Sequence, residues 1–308
     1  MNKTISVLMC TYNEPETYLR NAINSILNQT YQNLQIIIVI DNPKNEQHIG
    51  ICSECAQLDS RIKLLINKEN MGLVKSLNKA LKFATGYYVA RMDADDISRL
   101  DRFEKQVNYI ETHKLDLVGS NIRDMNEMGV LSKKPSNFPE LHGKIKQYLR
   151  YNNAIPHPTW LGKRVVFELL DGYRDIDACE DYDFLIRLVL SGFKVGNVQE
   201  ELLYYRLNSS GISSTKKAIQ KTSLYIVRDY YKKGMVVPIL SYKNFIISDI
   251  GKQKTKDLEK YYNLTKKLET MSEKSFLSFL YKIYIVIVSN EGKIAALNMI
   301  RERLALIL

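Results

Sequence analysis

The sequence predicts an α/β fold, a mostly parallel, Rossmann-like sheet flanked by helices, with a helical extension at its C-terminal end. Three observations carry that expectation. Through the first hundred residues short apolar runs alternate with stretches of helical periodicity, and a strand–helix repeat of this kind buries both faces of a parallel sheet under helices. Polar residues cluster directly after the apolar runs, where such sheets gather their ligands. Beyond residue 215 the pattern is helical, rich in tyrosine and lysine, and without clear strands.

Taken in order, residues 5–10 form an apolar run with no basic leader and no small-residue cleavage site, so they read as a first strand and not a signal peptide. Further strands are expected at 34–40, 62–66 and 87–92, separated by helices at 15–27, 46–58 and 73–84. In the first of these helices Ala22, Ile23, Ile26 and Leu27 share one face. A helix over 99–111 and a strand over 115–120 follow, then loops or a hairpin containing Gly129. Helices fit 141–151, 163–170 and 180–191, and two short strands, 194–198 and 202–207, close this part.

Composition narrows the class. With 308 residues, 45% hydrophobic and 25% charged, the chain can bury a substantial core. No stretch approaches the roughly 20 apolar residues that a membrane span requires. Four cysteines in a chain this long do not make a disulfide framework, and a single Cys52-x-x-Cys55 pair on an expected helix is weak support for zinc. The formal charge of +10 lies wholly in residues 216–308, which hold 18 Lys and Arg against 8 Asp and Glu. A neutral front with a basic tail points to an anionic partner for the tail, such as a phospholipid surface or a lipid diphosphate. Nucleic acid is a weaker fit, since the basic residues show no reading motif.

The strand ends supply the chemistry. Thr11-Tyr12-Asn13-Glu14 follows the first strand, Asp41-Asn42-Pro43 the second, Asn67 and Asn70-Met71-Gly72 the third, and Asp93-Ala94-Asp95-Asp96 the fourth. Adjacent carboxylates repel unless a positive group balances them, and oxygen ligands favour Mg²⁺ or Mn²⁺. The plain alternative is that Asp96 caps a helix beginning near Ser98. Glu180-Asp181-Tyr182-Asp183 opens another expected helix, where carboxylates serve as capping charges or, beside a bound hydroxyl, as a general base.

These segments in this order, together with Ser25-Ile26-Leu27-Asn28-Gln29-Thr30-Tyr31, resemble the inverting family 2 glycosyltransferases of the GT-A fold over about residues 3–215. The resemblance implies a glycosyltransferase domain at 1–215, with a nucleotide-binding half at 1–98 and an acceptor half at 99–215, followed by a basic helical region at 216–308. It implies that Thr11, Tyr12, Asn13 and Glu14 line a uridine pocket, that Asp41 sits beside the base or ribose, and that Asn70 and Gly72 approach the nucleotide. Asp93 would touch the ribose and the metal, and Asp95 would ligate Mn²⁺ or Mg²⁺ on the donor diphosphate. Asp181 matches the family's proposed base, with Glu180 its possible substitute. His157 and Arg206 match segments placed near acceptor or diphosphate, against plain structural roles for both.

Two departures bear on this expectation. Asn42 and Pro43 follow Asp41 where many relatives carry a second aspartate, which puts the identity of the base in question, and Asn208 stands where some relatives carry a metal-binding histidine. The reading is therefore a UDP-sugar donor, a glycan or lipid-linked glycan acceptor, and a cytoplasmic enzyme of bacterial surface polysaccharide synthesis, capsule or O-antigen, at the inner face of the membrane. Competing readings are a nucleotidyltransferase, which would want a glycine-rich basic loop after the first strand, and a non-catalytic nucleotide- or membrane-binding interaction protein. In the tail, Phe276, Phe279, Leu280, Ile283 and Ile287 fall at helical spacing and fit a core or homodimer contact, or a membrane-surface helix.

Overall fold

The structure is a computed structural model that describes residues 3–209 and 211–269, with Lys282, Ile285 and Ile294 beyond them. The tail stripe from Phe276 to Ile287, expected as a core, dimer or membrane face, therefore lies outside the described residues, apart from Lys282 and Ile285 between its members. The chain divides into two compact units. The first comprises Met1–Ile145, Ala154–Arg174 and Arg187–Asn208, and the second Lys146–Asn153, Asp175–Ile186 and Ser209–Leu308.

The first unit is built on one eight-stranded sheet of order β3-β2-β1-β4-β7-β6-β8-β5. Its strands are β1 (Ile5–Thr11), β2 (Leu34–Ile40), β3 (Ile62–Ile66), β4 (Tyr88–Asp93), β5 (Ile97–Ser98), β6 (Leu117–Met125), β7 (Leu161–Lys163) and β8 (Val195–Arg206). Pairings among β1 to β4 are parallel, as is β6 with β8, whereas β7 runs antiparallel to β4 and β6, and β5 to β8. Helices α1 (Glu16–Leu27), α2 (Glu46–Leu58) and α3 (Leu73–Phe83) connect the first four strands, and α4 (Arg102–Thr112) follows β5. Ile5, Val7 and Met9 of β1, Ile36, Ile38 and Ile40 of β2, and Ala22, Ile23 and Ile26 of α1 share one core. Their alternation on the strands and their three-to-four spacing on the helix are what bring them together.

The order 3-2-1-4 reverses direction at β1, so the carboxyl ends of β1 and β4 flank a topological switch point, the crevice where ligands bind in open α/β sheets. Thr11–Glu14 and Asp93–Asp96 both leave the sheet there. Beyond β4, one expectation needs correcting. The two short strands at 194–198 and 202–207 are a single strand, β8, whose pairing with β6 shifts register between Ser120 and Asn121. The extra residues, exposed Gln199 and Glu200, form the bulge whose polarity had suggested a break. The 121–140 stretch is a hairpin-like return, with bridges Ile122 to Ser136 and Met125 to Leu131. Short helices α5 (His142–Tyr148) and α6 (Arg164–Leu169) precede α7 (Glu180–Leu190).

The second unit is helical: α8 (Ile212–Thr215), α9 (Lys217–Lys232), α10 (Ile239–Ile247) and α11 (Asp249–Glu269). Buried tyrosine hydroxyls fasten it. Tyr242 Oη donates to Asp177 Oδ2 at 3.0 Å and accepts from Asp177 N at 2.9 Å, with Ser223 Oγ at 2.8 Å. Tyr182 Oη donates to Leu149 O, and Tyr231 Oη donates to Lys146 O at 2.9 Å. Each tyrosine thus buries a ring and satisfies its polar end. Among the described residues no helix is long and apolar enough to cross a membrane.

Candidate active site

The first loop of the site follows β1 and is locked by its own side chains. Thr11 Oγ1 donates to Glu14 Oε2 at 2.6 Å, Tyr12 N donates to the same oxygen at 2.8 Å, and buried His48 of α2 meets Thr11 Oγ1 at 2.9 Å through Nδ1. His48 Nε2 reaches the Glu14 carbonyl at 2.7 Å. Asn13 Oδ1 accepts from Asn42 Nδ2 at 2.7 Å and Asn45 Nδ2 at 3.2 Å, so the loops after β1 and β2 hold one another. Tyr12 stays exposed.

Asp41, at the end of β2, is buried and accepts from Asn67 Nδ2 at 2.6 Å, Met71 N at 2.8 Å and Gly72 N at 2.9 Å. Asn70 Oδ1 also accepts from Gly72 N, at 3.0 Å. Gly72 caps α3 with φ of +80°, a conformation that only glycine adopts without strain, and this turns its N–H toward the carboxylate. Asn67 is steadied by Lys79 Nζ at 2.8 Å. One carboxylate thereby ties the third strand's loop to the second strand's end.

The acidic run Asp93, Asp95 and Asp96 brings three carboxylates together, with candidate ligand oxygens all within 4.8 Å of one another. Asp93, the last residue of β4, is ion-paired with Arg91, a guanidinium only 4% exposed two residues earlier on the same strand face. Burial, then the charge of Asp93, pushes the Asp95 carboxyl up to about 6, and Asn208 Nδ2 donates to its Oδ2 at 3.3 Å. Asp96 is fully buried; burial, then Asp93 and Asp95, raise its carboxyl well above the ordinary range. Its Oδ1 accepts from Arg206 N at 2.7 Å while its Oδ2 is buried without a hydrogen-bond partner. The capping alternative for Asp96 is thus overturned, because the nearest helix, α4, begins at Arg102 behind Asp101.

Arg206 is buried at the end of β8. Its Nε donates to the Asp95 carbonyl at 2.7 Å, its Nη1 to the carbonyls of Asn126 and Glu127 at 3.3 and 3.2 Å, and its guanidinium lies 3.9 Å from the Tyr18 ring centre. Partly buried Cys10 marks the convergence: the charges of Arg91, Asp41, Asp93 and Glu14 all reach its thiol, and desolvation pushes that thiol up to about 12. His157 is buried beside Trp160, ring centres 4.7 Å apart, with Nε2 2.9 Å from Tyr173 Oη. Burial and then Arg91 hold its imidazole well below the usual range, so the ring is neutral.

Glu180 and Asp181 belong to the second unit, at the start of α7. Glu180 is buried, whereas Asp181 is half-buried and lines a cavity of about 350 Å³. Asn153 Nδ2 donates to Asp181 Oδ2 at 2.7 Å and Tyr182 N to its Oδ1 at 2.6 Å. Cys52 and Cys55 sit on α2, where burial raises both thiols. Among the described residues the Asp93, Asp95 and Asp96 group alone offers three convergent metal-ligand atoms.

Residues 6–169 match the family described as Glycosyl transferase family 2, more than half of the chain. The chain belongs to that family. Its family 2 membership selects sugar transfer over the nucleotidyl transfer that the acidic run also permitted. Within the family it is similar to the O-antigen biosynthesis glycosyltransferase WbnJ of Escherichia coli, at 32% identity over 77% of this chain and 92% of that one. Two solved structures share its fold. Staphylococcus aureus TarS 1–349 in complex with UDP-GlcNAc aligns with a TM-score of 0.60 at 19% identity, covering 80% of this chain and 71% of that one. The mannosyltransferase PcManGT of Pyrobaculum calidifontis, in complex with GDP-Man and Mn²⁺, aligns with 0.61 at 15% identity over 100% and 87%. The family 2 chain thus has the GT-A fold expected from its motifs.

His48 and Arg91 hold the candidate residues of the first unit, and Asn153 orients Asp181 in the second, without having been given a role from the sequence. Arg91 was findable: a charged residue inside an apolar run, two positions before an aspartate, needs a partner on its own face. His48 and Asn153 carry no such local sign, since their partners are 34–37 and 28 positions away.

Proposed function

We propose that this glycosyltransferase moves a sugar from a uridine diphosphate sugar to an acceptor hydroxyl with inversion at the anomeric carbon. The observation that carries the reading is the trio Asp93, Asp95 and Asp96 at the switch point: three convergent oxygens, one carboxyl raised to about 6 and one buried oxygen without a partner. That donor set suits a hard divalent cation, Mn²⁺ or Mg²⁺, held by Asp95 and Asp93. When bound, the cation supplies electrostatic stabilisation of the charge that grows on the leaving diphosphate. The reading is supported by the Mn²⁺ held by PcManGT, whose donor is GDP-Man, and by the UDP-GlcNAc held by TarS.

The remaining steps belong to the chain's own residues. Thr11, Tyr12, Asn13, Glu14 and the loops of Asp41, Asn42, Asn70 and Gly72 hold the nucleoside, with His157 and Arg206 behind the diphosphate. Asp181 takes the proton from the acceptor hydroxyl as that oxygen attacks the anomeric carbon, and the nucleoside diphosphate departs from the opposite face. What favours Asp181 over Glu180 is exposure to a cavity and orientation by Asn153 and Tyr182 N, since a general base must come within hydrogen-bond reach of its proton. The likeness to WbnJ supports a place in bacterial surface polysaccharide assembly. The basic tail suits work at the anionic inner face of the cytoplasmic membrane.

The test is release of UDP from a panel of UDP-sugars with Mn²⁺. One sugar should be turned over, EDTA should stop it, and Asp95→Ala should slow it on the order of 100-fold or more. Turnover indifferent to EDTA and to Asp95→Ala would remove the metal reading; no turnover of any nucleotide sugar would favour a non-catalytic interaction protein.

A further inference from the structure

The family match ends at residue 169, whereas the excess of basic residues begins at Lys216. In the second unit the two regions of interest meet at one cavity. The space of about 350 Å³ that Asp181 lines is also lined by Asn153, Lys217, Gln220 and Lys221, and by Tyr262 of α11. Lys217 and Lys221 are one turn apart on α9 and so share a face. Lys217 is exposed, Lys221 is half-buried, and the charge of Lys221 reaches the buried Cys179 thiol, which also lines the cavity. Among the described residues that line it, Asp181 is the one acid and Lys217 and Lys221 are the cations, Lys221 Nζ lying 5.6 Å from the Tyr225 ring centre.

That balance is informative about the ligand. A neutral sugar is read by amides, carboxylates and aromatic faces, and burying ammonium groups against it removes their water without return. An anionic oxygen offers each lysine a charge-assisted hydrogen bond. It would otherwise be repelled by Asp181, and the two lysines offset that repulsion. We propose that this cavity is the acceptor subsite and that it takes a sugar bearing a negative group, a glycosyl phosphate or a uronate, clamped by Lys217 and Lys221. The proposal rests on the reading of Asp181 as the base. An adjoining cavity of about 630 Å³ shares Lys217 and Tyr262 and adds Lys216 and Lys266 beside Asp177 and Glu259, leaving room for an acceptor longer than one ring. None of the lysines belongs to the matched family segment, so this charge preference is a property of the chain's own extension.

Saturation-transfer NMR titrations of the full chain in EDTA test it with three probes: N-acetylglucosamine, N-acetylglucosamine 1-phosphate and glucuronic acid. At least one anionic probe should bind about tenfold or more tightly than the neutral sugar, as expected of one net charge-assisted contact. The advantage should vanish in Lys217→Gln/Lys221→Gln and return in Lys217→Arg/Lys221→Arg, which separates lost charge from lost folding. Preference for the phosphate alone identifies a phosphate-linked acceptor, and preference for the uronate alone a uronic acid. Equal binding of neutral and anionic probes, no detectable binding of either anion, or an advantage that survives the glutamine pair overturns the proposal. The base reading fails separately, if Asp181→Asn transfers sugar at the wild-type rate while the anion preference persists.

Discussion

Asp93 and Asp95 are two residues apart, yet their neutralisation should have opposite effects on the metal-free protein. Asp93 is the ion-pair partner of a guanidinium buried to 4% exposure, and Asp93→Asn removes that partner while easing the repulsion on Asp95 and Asp96, for a net loss of about 1–3 kcal/mol in a urea denaturation curve. Asp95 instead carries a carboxyl that burial and Asp93 push up to about 6 from 3.8, so Asp95→Asn relieves repulsion and should leave the metal-free protein as stable or slightly more so. The sign with pH follows. Because the folded protein holds this proton more tightly than the unfolded chain, the associated stability is fully present below about pH 3.8 and is lost as pH rises through about 6. A divalent cation replaces the proton. The rise in melting temperature caused by Mn²⁺ should be small at pH 5, grow above pH 6 and be absent in Asp95→Asn, as read by differential scanning fluorimetry. At this scale the acids were legible in the sequence because runs of carboxylates after an apolar strand are conspicuous. Their partners were less so: Arg206 and Asn208 reach Asp95 from more than 110 positions away.

At the scale of elements, the turn into α3 makes a sharper prediction than any strand. Gly72 must hold φ of +80° for its amide to meet Asp41. Gly72→Ala should cost about 1–3 kcal/mol of stability, the penalty of a positive-φ extended backbone for a residue with a Cβ. It should also weaken protection by UDP in a thermal-shift assay, since the loop that Asp41 organises would be displaced. The first four strands and their helices were readable almost to the residue because alternation and helical spacing are local signals. β5 was not read, being only Ile97–Ser98 and visible through its pairing with Leu203 and Tyr204. The bulge in β8 misled for a related reason: polar Gln199 and Glu200 look like a chain break until β6 supplies the ladder that carries the strand past them.

Over the whole molecule, charge gives the remaining prediction. A neutral region to residue 215 and a net +10 beyond it should make the full chain sediment with vesicles containing anionic lipid and not with phosphatidylcholine alone. Raising salt from 0.1 M toward 1 M, where the screening length falls from about 10 Å to about 3 Å, should release it. Strand order could not be read at this scale, because placing β7 between β4 and β6 depends on contacts between segments tens of residues apart, and no local pattern encodes them. The discontinuity of the second unit has a practical outcome of its own. Its material comes from 146–153, 175–186 and the stretch after 208, so deleting the tail would strip two earlier segments of the helices they fold with. Anyone moving the second unit onto a cousin must transplant three stretches of gene together, and a simple tail exchange would deliver only a fragment of it.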